Sequence, residues 1–131
     1  MRVLALDHGE ARCGCAISDP TGTLATPLEE VERPDTRAGL GAIAGLVEEH
    51  GVEQVVVGLP LTLAGEEGDQ AARARGFAEA LRGRVSVPVE LHDERLTTRL
   101  AERSGGGAGA DSRAAAHLLE SWLARAGAAA E

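Results

Sequence analysis

Four consecutive apolar residues, Val3-Leu4-Ala5-Leu6, are cut off by Asp7-His8-Gly9, and this stretch constrains the fold of the chain more than any other. Successive side chains of a strand point to opposite faces. A run that is apolar at every position therefore needs cover on both sides, the pattern of a central strand between two layers of helix. Asp7-His8-Gly9 is a turn signal. Cys13 to Ser18 reads as a returning strand, so residues 2–18 form a hairpin with a longish loop.

Further along, Asp19-Pro20-Thr21-Gly22 marks a second turn. Thr23 to Val31 supplies a third strand, in which Pro27 indicates a bulge or a sheet edge. Leu40, Ile43, Leu46 and Val47 fall at helical spacing within Arg37 to His50; Asp35 or Thr36 can cap that helix and Gly51 can end it. Gln54 to Gly58 is a short β-branched strand, Leu59 to Gly65 a loop, and Glu66 to Arg82 a second helix. Val85 to Leu91 reads as a fifth strand, and Asp93 to Arg103 begins a helical stretch. Ser104 to Gly109 is a glycine-rich break. The last helix runs from Asp111 to Ala126, with Ala115, Leu118, Leu119 and Trp122 as its apolar stripe, and residues 127–131 are expected to fray. Three strands followed by helix, strand, helix, strand, helix give an α/β domain over residues 1–126. Its expected architecture is a mixed five-stranded sheet flanked by helices, in the order βββαβαβα.

Aromatic residues make up only 2% of the chain, so Ala, Val, Leu and Ile must build the core. The net charge of −8 argues against a nonspecific nucleic-acid coat, whose affinity comes from neutralising phosphates. It leaves room for a carboxylate cluster that binds cations and inverts its own local charge. Arg73, Arg75, Arg82 and Arg84, against Glu79 alone, offer a local basic face that could guide a strand. Cys13 and Cys15 alternate along one strand face, a poor geometry for a disulfide, and read as small buried hydrophobes in a reducing compartment. The opening apolar run is too short for a secretory leader, and no stretch is long enough to span a bilayer. A soluble, cytoplasmic protein is expected.

Four carboxylates stand where elements begin or end: Asp7 after the first strand, Asp93 and Glu94 after the fifth, and Asp111 at the start of the last helix. Open α/β sheets bind ligands near the carboxyl ends of their strands. Acids gathered there would form an oxygen-rich pocket suited to Mg²⁺ or Mn²⁺ rather than zinc. Two such ions about 4 Å apart can activate water and stabilise the leaving oxygen of a phosphodiester. Each acid also has an ordinary reading: Asp7 as a turn former, Asp111 as an N-cap, and Asp93-Glu94 as the charged first turn of a helix. His8 and His92 flank the same region, as proton shuttles or as polar loop residues.

At these residues the sequence resembles the YqgF/RuvX family, described both as Holliday junction resolvases and as pre-16S rRNA nucleases. The matching strings are Leu4-Ala5-Leu6-Asp7-His8-Gly9 with Arg12-Cys13-Gly14-Cys15-Ala16, then Val55-Val56-Val57-Gly58-Leu59-Pro60-Leu61 and Gly65-Glu66-Glu67-Gly68. Asp93-Glu94-Arg95-Leu96-Thr97-Thr98 and Asp111-Ser112-Arg113-Ala114-Ala115 complete the set, in family order over nearly the whole chain. The resemblance implies an RNase H-like fold and a nuclease that uses Mg²⁺ or Mn²⁺. It implies Asp7, an acid of the Asp93-Glu94 pair and Asp111 as catalytic metal ligands, and Glu94 is favoured within the pair for its reach. It further implies that Arg95, Thr97 and Thr98 bind phosphate oxygens or brace the acids, and that Arg12 approaches the nucleic-acid backbone. Substrates would be precursor rRNA or branched DNA, with ribosomal precursor particles as partners and no membrane role. Symmetric cutting of a four-way junction would call for a homodimer, although no dimer face can be read.

Two departures remove phosphate contacts. The family's Lys before the loop arginine is Ala11 here, and Ser104 to Ala110 carries Gly and Ala where the family is often basic. They favour an alternative, a noncatalytic RNA-binding ribosome-assembly factor. An ATPase of the actin and sugar-kinase class shares the opening hairpin, but it needs two lobes and a second phosphate loop that this chain lacks.

Overall fold

The computed structural model describes residues 1–62, 64–93 and 110–130, leaving aside the side chains of 110, 111 and 127–130. Its strands are β1 (Val3–His8), β2 (Arg12–Ser18), β3 (Ala25–Glu32), β4 (Gln54–Leu59) and β5 (Val89–Asp93). Its helices are α1 (Arg37–His50), α2 (Asp69–Arg82) and α3 (Ala110–Ala130). The strands form one sheet in the order β3-β2-β1-β4-β5. β1, β2 and β3 run antiparallel as a meander, whereas β4 and β5 run parallel to β1. The mixed five-stranded α/β architecture expected from the sequence is the one observed.

The opening apolar run occupies the centre of that sheet and is covered on both faces. Leu4 and Leu6 pack with Ile43 and Val47 of α1 and with Ala74, Phe77 and Leu81 of α2. Val3 and Ala5 pack on the other side, with Ala115, Leu118 and Leu119 of α3. Each fully buried Leu or Val contributes about 1.5–3 kcal/mol relative to exposure, so the two layers hold β1 rigidly. That rigidity is inherited by the polar residues at its end.

Local chemistry sets the boundaries. The Thr36 hydroxyl accepts from the Gly39 N–H and caps α1, in preference to Asp35, and Gly51 ends the helix in the left-handed region at φ 62°. Helix α2 starts at Asp69 rather than Glu66. Leu61, Thr62, Glu66 and Glu67 are used instead in a small turn, where Thr62 N–H donates to the Glu66 carbonyl and Leu61 bridges Glu67. Strand β5 starts at Val89 rather than Val85, because the amides of Arg84 and Val85 still donate to Leu81 at the end of α2. It continues to Asp93, which is therefore a strand residue and not the start of a helix. The rest of the helical stretch expected up to Arg103, and the glycine-rich break at 104–109, lie outside the described residues. Pro27 sits on the edge strand β3, opposite Ala16, while the bulge falls nearby between the Cys13 and Cys15 pairings. Cys13 and Cys15 are both free and buried, facing the α1/α2 layer.

Candidate active site

Asp7 is the penultimate residue of β1, at the carboxyl ends of the parallel strands. Alternation with Val3 and Ala5 points it to the α3 face. On one side its partner in β2 is Gly14. On the other, the β1–β4 register pairs Leu6 with Val57, and one further step brings Asp7 beside Gly58. The carboxylate thus stands on its face between two strand neighbours that have no side chain. This is an arrangement in which a substrate or ion can approach an oxygen ligand closely.

The elements that must bring other acids to Asp7 are fixed nearby. Ser112, in the first turn of α3, is only 2% exposed, and its hydroxyl accepts the Cys15 N–H at 3.2 Å. Cys15 follows Gly14, the residue opposite Asp7. This bond ties the first turn of α3, and with it the backbone of Asp111, to the strand position next to Asp7's partner. The side chain of Asp111 lies outside the described residues, as do Glu94, Arg95, Thr97 and Thr98 entirely. Sequence reading missed Ser112. The available signal was a polar residue one turn ahead of Ala115 and Ala116, in line with the buried stripe of the helix.

Asp93 behaves differently from Asp7. In the β4–β5 register, Val57 pairs with Leu91, Gly58 with His92 and Leu59 with Asp93. Val57 and Leu91 pack in the α1/α2 layer, so alternation puts His92 on the face of Asp7, while Asp93, the last residue of β5, lines a cavity with His92 and with Trp122 and Arg125 of α3. His92 is buried and its Nε2 lies 3.1 Å from the Ser121 hydroxyl. Burial, and secondarily the charge of Arg125, lower its pKa. A neutral ring locked to α3 is a packing and hydrogen-bonding group.

His8 points away from Asp7, to the α1/α2 face. Its ring stacks on Phe77 with centroids 4.6 Å apart, and its Nε2 lies 2.8 Å from Asp35 Oδ2. Asp35, one of two candidate caps for α1, instead orients this histidine. Arg12 begins β2 and alternates with Gly14 onto the face of Asp7. Its Nε lies 3.8 Å from Glu30 Oε2, beside a cavity of about 320 Å³ also lined by Glu29 and Glu32. Acids of the edge strand therefore balance part of its charge.

The basic stretch of α2 does not form one face. Arg75 is held bidentately by Glu67 at 2.6 and 2.7 Å, which lowers the Glu67 pKa. Arg82 donates to the Val89 carbonyl at 2.7 Å and pairs with Glu79. Arg73 alone of these helix arginines lines the cavity that includes Asp7.

Among the described residues no group of three or more His, Cys, Asp and Glu side chains is placed to hold a metal ion. The donors that can be assessed still fit a hard cation. Asp7 is a carboxylate, and the cysteines that could recruit a softer metal are turned into the opposite core.

A central β1 carrying an aspartate, a three-strand meander, two added parallel strands and a helix crossing behind them define the RNase H-like class of α/β domain. Two solved structures share this fold. One is Thermus thermophilus RuvC in complex with a Holliday junction substrate, with TM-score 0.61, 18% identity, and 97% of each chain covered. The other is the fowlpox virus resolvase in complex with Holliday junction DNA, with TM-score 0.56, 12% identity, and 96% of this chain and 99% of that one covered. At such identities the likeness concerns the fold alone. Within the class, the family described as "RuvX: Holliday junction resolvase" matches residues 1–125, and the chain belongs to that family. Relatives carry the name "Putative pre-16S rRNA nuclease". The protein from Chloroflexus aurantiacus is 48% identical over 77% of this chain, a match spanning 66% of that relative's length. The one from Maridesulfovibrio salexigens is 40% identical over 96% of this chain and 100% of its own. No described helix is long and apolar enough to cross a membrane.

Proposed function

We propose that this chain is a divalent-cation-dependent nuclease that hydrolyses phosphodiester bonds in structured nucleic acid, with Asp7, Glu94 and Asp111 as its oxygen ligands. The observation that carries the reading is the position of Asp7. It sits at the carboxyl end of a central strand, flanked by Gly14 and Gly58, on the face to which Ser112 fastens the start of α3. Family membership and the names of the relatives agree with it. When bound, a pair of Mg²⁺ or Mn²⁺ ions would lower the pKa of an attacking water and stabilise the leaving oxygen. The chain's own part is to fix Asp7 on the rigid β1 and to fix the start of α3, which carries Asp111, and to leave open the space above the two glycines for the scissile phosphate. Asp93, the last residue of β5, is in this reading a structural neighbour of the ligand Glu94. Arg12, on the face of Asp7, meets the backbone of the substrate in this reading, and the resemblance to the family motif supports Arg95, Thr97 and Thr98 as residues that bind phosphate oxygens or brace the acids.

Precursor 16S rRNA is the first substrate to test and a four-way DNA junction the second, since relatives and fold neighbours carry both names. The test is Mn²⁺-dependent cleavage of both, comparing wild type with Asp7→Asn. Loss of cleavage in the variant, with folding retained, is the expected result. Equal cleavage by both proteins would remove the mechanism. Binding without cleavage by either would favour the noncatalytic ribosome-assembly role.

A further inference from the structure

A second polar cavity, of about 210 Å³, opens at the end of β1 on the α2 side. Its walls include Asp7, Glu10, Pro60, Gln70 and Arg73. Glu10 belongs to the tight turn between β1 and β2, where a Cβ on Gly9 would come within 2.7 Å of the Arg12 carbonyl oxygen. Gln70 and Arg73 come from the N-terminal half of α2. The cavity therefore presents one guanidinium and one carboxamide donor at the carboxyl end of β1, across the strand end from the α3 face on which the Asp7 carboxylate stands. Of the two acids in the lining, Asp7 and Glu10, it is Glu10 that pairs with Arg73.

The Arg73–Glu10 pair is loose. Arg73 Nη1 lies 3.5 Å from Glu10 Oε2, and the two side chains are 58% and 84% exposed. Exposed pairs of this kind are weak and screened by salt. A phosphodiester can displace the carboxylate and accept charge-assisted, bidentate hydrogen bonds from the same guanidinium. The other arginines of α2 are less free to do so. Arg75 is committed to Glu67, and Arg82 to Glu79 and the Val89 carbonyl.

We infer that Arg73 and Gln70 form a phosphate subsite for the substrate strand next to the cleavage centre, and that Glu10 occupies Arg73 until nucleic acid displaces it. The inference rests on the nuclease reading and deepens it. It gives the chain a backbone contact in place of the basic residues missing at Ala11 and between Ser104 and Ala110. It also reconciles a net charge of −8 with a polyanionic substrate, because the cation is shielded by its own acid when the site is empty.

Binding is the direct test, measured by fluorescence polarisation with a labelled four-way DNA junction in one arm and a labelled single-stranded RNA in the other. Both arms are run with EDTA over a range of salt, so that no cleavage intervenes. Arg73→Gln should weaken binding several-fold and flatten the salt dependence by about one unit of slope, as loss of one phosphate contact does. Glu10→Gln should strengthen binding, and this gain should vanish when Arg73 is also Gln. Arg82→Gln, on the far side of α2, should bind as wild type does. The arm showing these changes identifies the source of the phosphate. An unchanged slope in Arg73→Gln, or an equal loss in Arg82→Gln, would overturn the subsite. If Asp7→Asn is inactive in the cleavage assay at the same time, the nuclease reading survives that failure. Absence of binding by wild type in both arms would overturn the subsite, while the nuclease reading is decided separately by the cleavage assay.

Discussion

The Ser112 hydroxyl accepts the backbone N–H of Cys15 at 3.2 Å, joining the first turn of α3 to β2 across 97 residues of chain. Both ends of the bond are buried, so water cannot replace either partner. Ser112→Ala would leave the Cys15 N–H without this acceptor, at a cost of about 1–3 kcal/mol. The start of α3 would also lose its fixed distance from Asp7. Misplacement of catalytic groups by about 1 Å can cost about 100-fold in rate. The variant should therefore remain folded in urea titrations with a lowered midpoint, yet lose more kcat than substrate affinity. A variant with wild-type kcat would show that the bond serves stability alone.

Much of this arrangement was legible in the sequence because it rests on period and punctuation. The doubly apolar run Val3 to Leu6 specified a central strand, and its abrupt end placed Asp7 at the sheet's edge. Helix α1 was marked by its apolar spacing together with Thr36 and Gly51. Long-range hydrogen bonding left no such trace. Nothing local to Ser112 names Cys15 as its partner, and nothing local to His8 names Asp35. Register was equally hidden. The strings Val57-Gly58 and Leu91-His92-Asp93 do not reveal which face each residue takes until β1, β4 and β5 are aligned. The basic stretch of α2 misled for a related reason. Arg73 and Arg75 are close in sequence, but two helical residues apart they point about 160° away from each other.

Gly9 closes the turn that follows Asp7 and His8. A methyl group there would meet the Arg12 carbonyl oxygen at 2.7 Å, a backbone atom that cannot rotate away. Gly9→Ala should force the turn to shift, at a cost of about 1–3 kcal/mol typical of overpacking. Because β1 ends in this turn, cleavage should fall along with the melting temperature. Unchanged thermal unfolding would mean that the turn yields freely.

Asp19 organises the β2–β3 turn. It accepts from the Thr21 hydroxyl at 2.7 Å and from the backbone N–H groups of Thr23 and Leu24 at 2.8 and 3.2 Å. These bonds, the Thr21 hydroxyl foremost, lower its pKa from 3.8 to about 2. The unfolded chain therefore binds this proton more readily than the folded one. The stability that Asp19 contributes is complete above pH 3.8 and is lost as pH falls toward 2. Asp19→Asn should flatten the acid limb of the stability curve in that window, read from urea midpoints at each pH. A limb of unchanged steepness would assign acid sensitivity to other carboxylates.

Asp93 closes β5, and Glu94, the next acid, lies outside the described residues. Asp93 pairs with Leu59 and lines a cavity with Trp122 and Arg125 of α3, whereas Asp7 stands on the central strand beside Gly14. The cavity at Asp93 does not include Asp7, which favours Glu94 as the ligand. Removing a true ligand should cost more than the roughly 10–100-fold typical of residues that only orient ligands. Glu94→Gln should therefore abolish Mn²⁺-dependent cleavage and Mn²⁺ binding measured by calorimetry. Asp93→Asn should retain Mn²⁺ binding and stay within about tenfold of wild-type cleavage, the lower end of that range. If instead Asp93→Asn is the variant that loses the ion, the ligand assignment passes from Glu94 to Asp93.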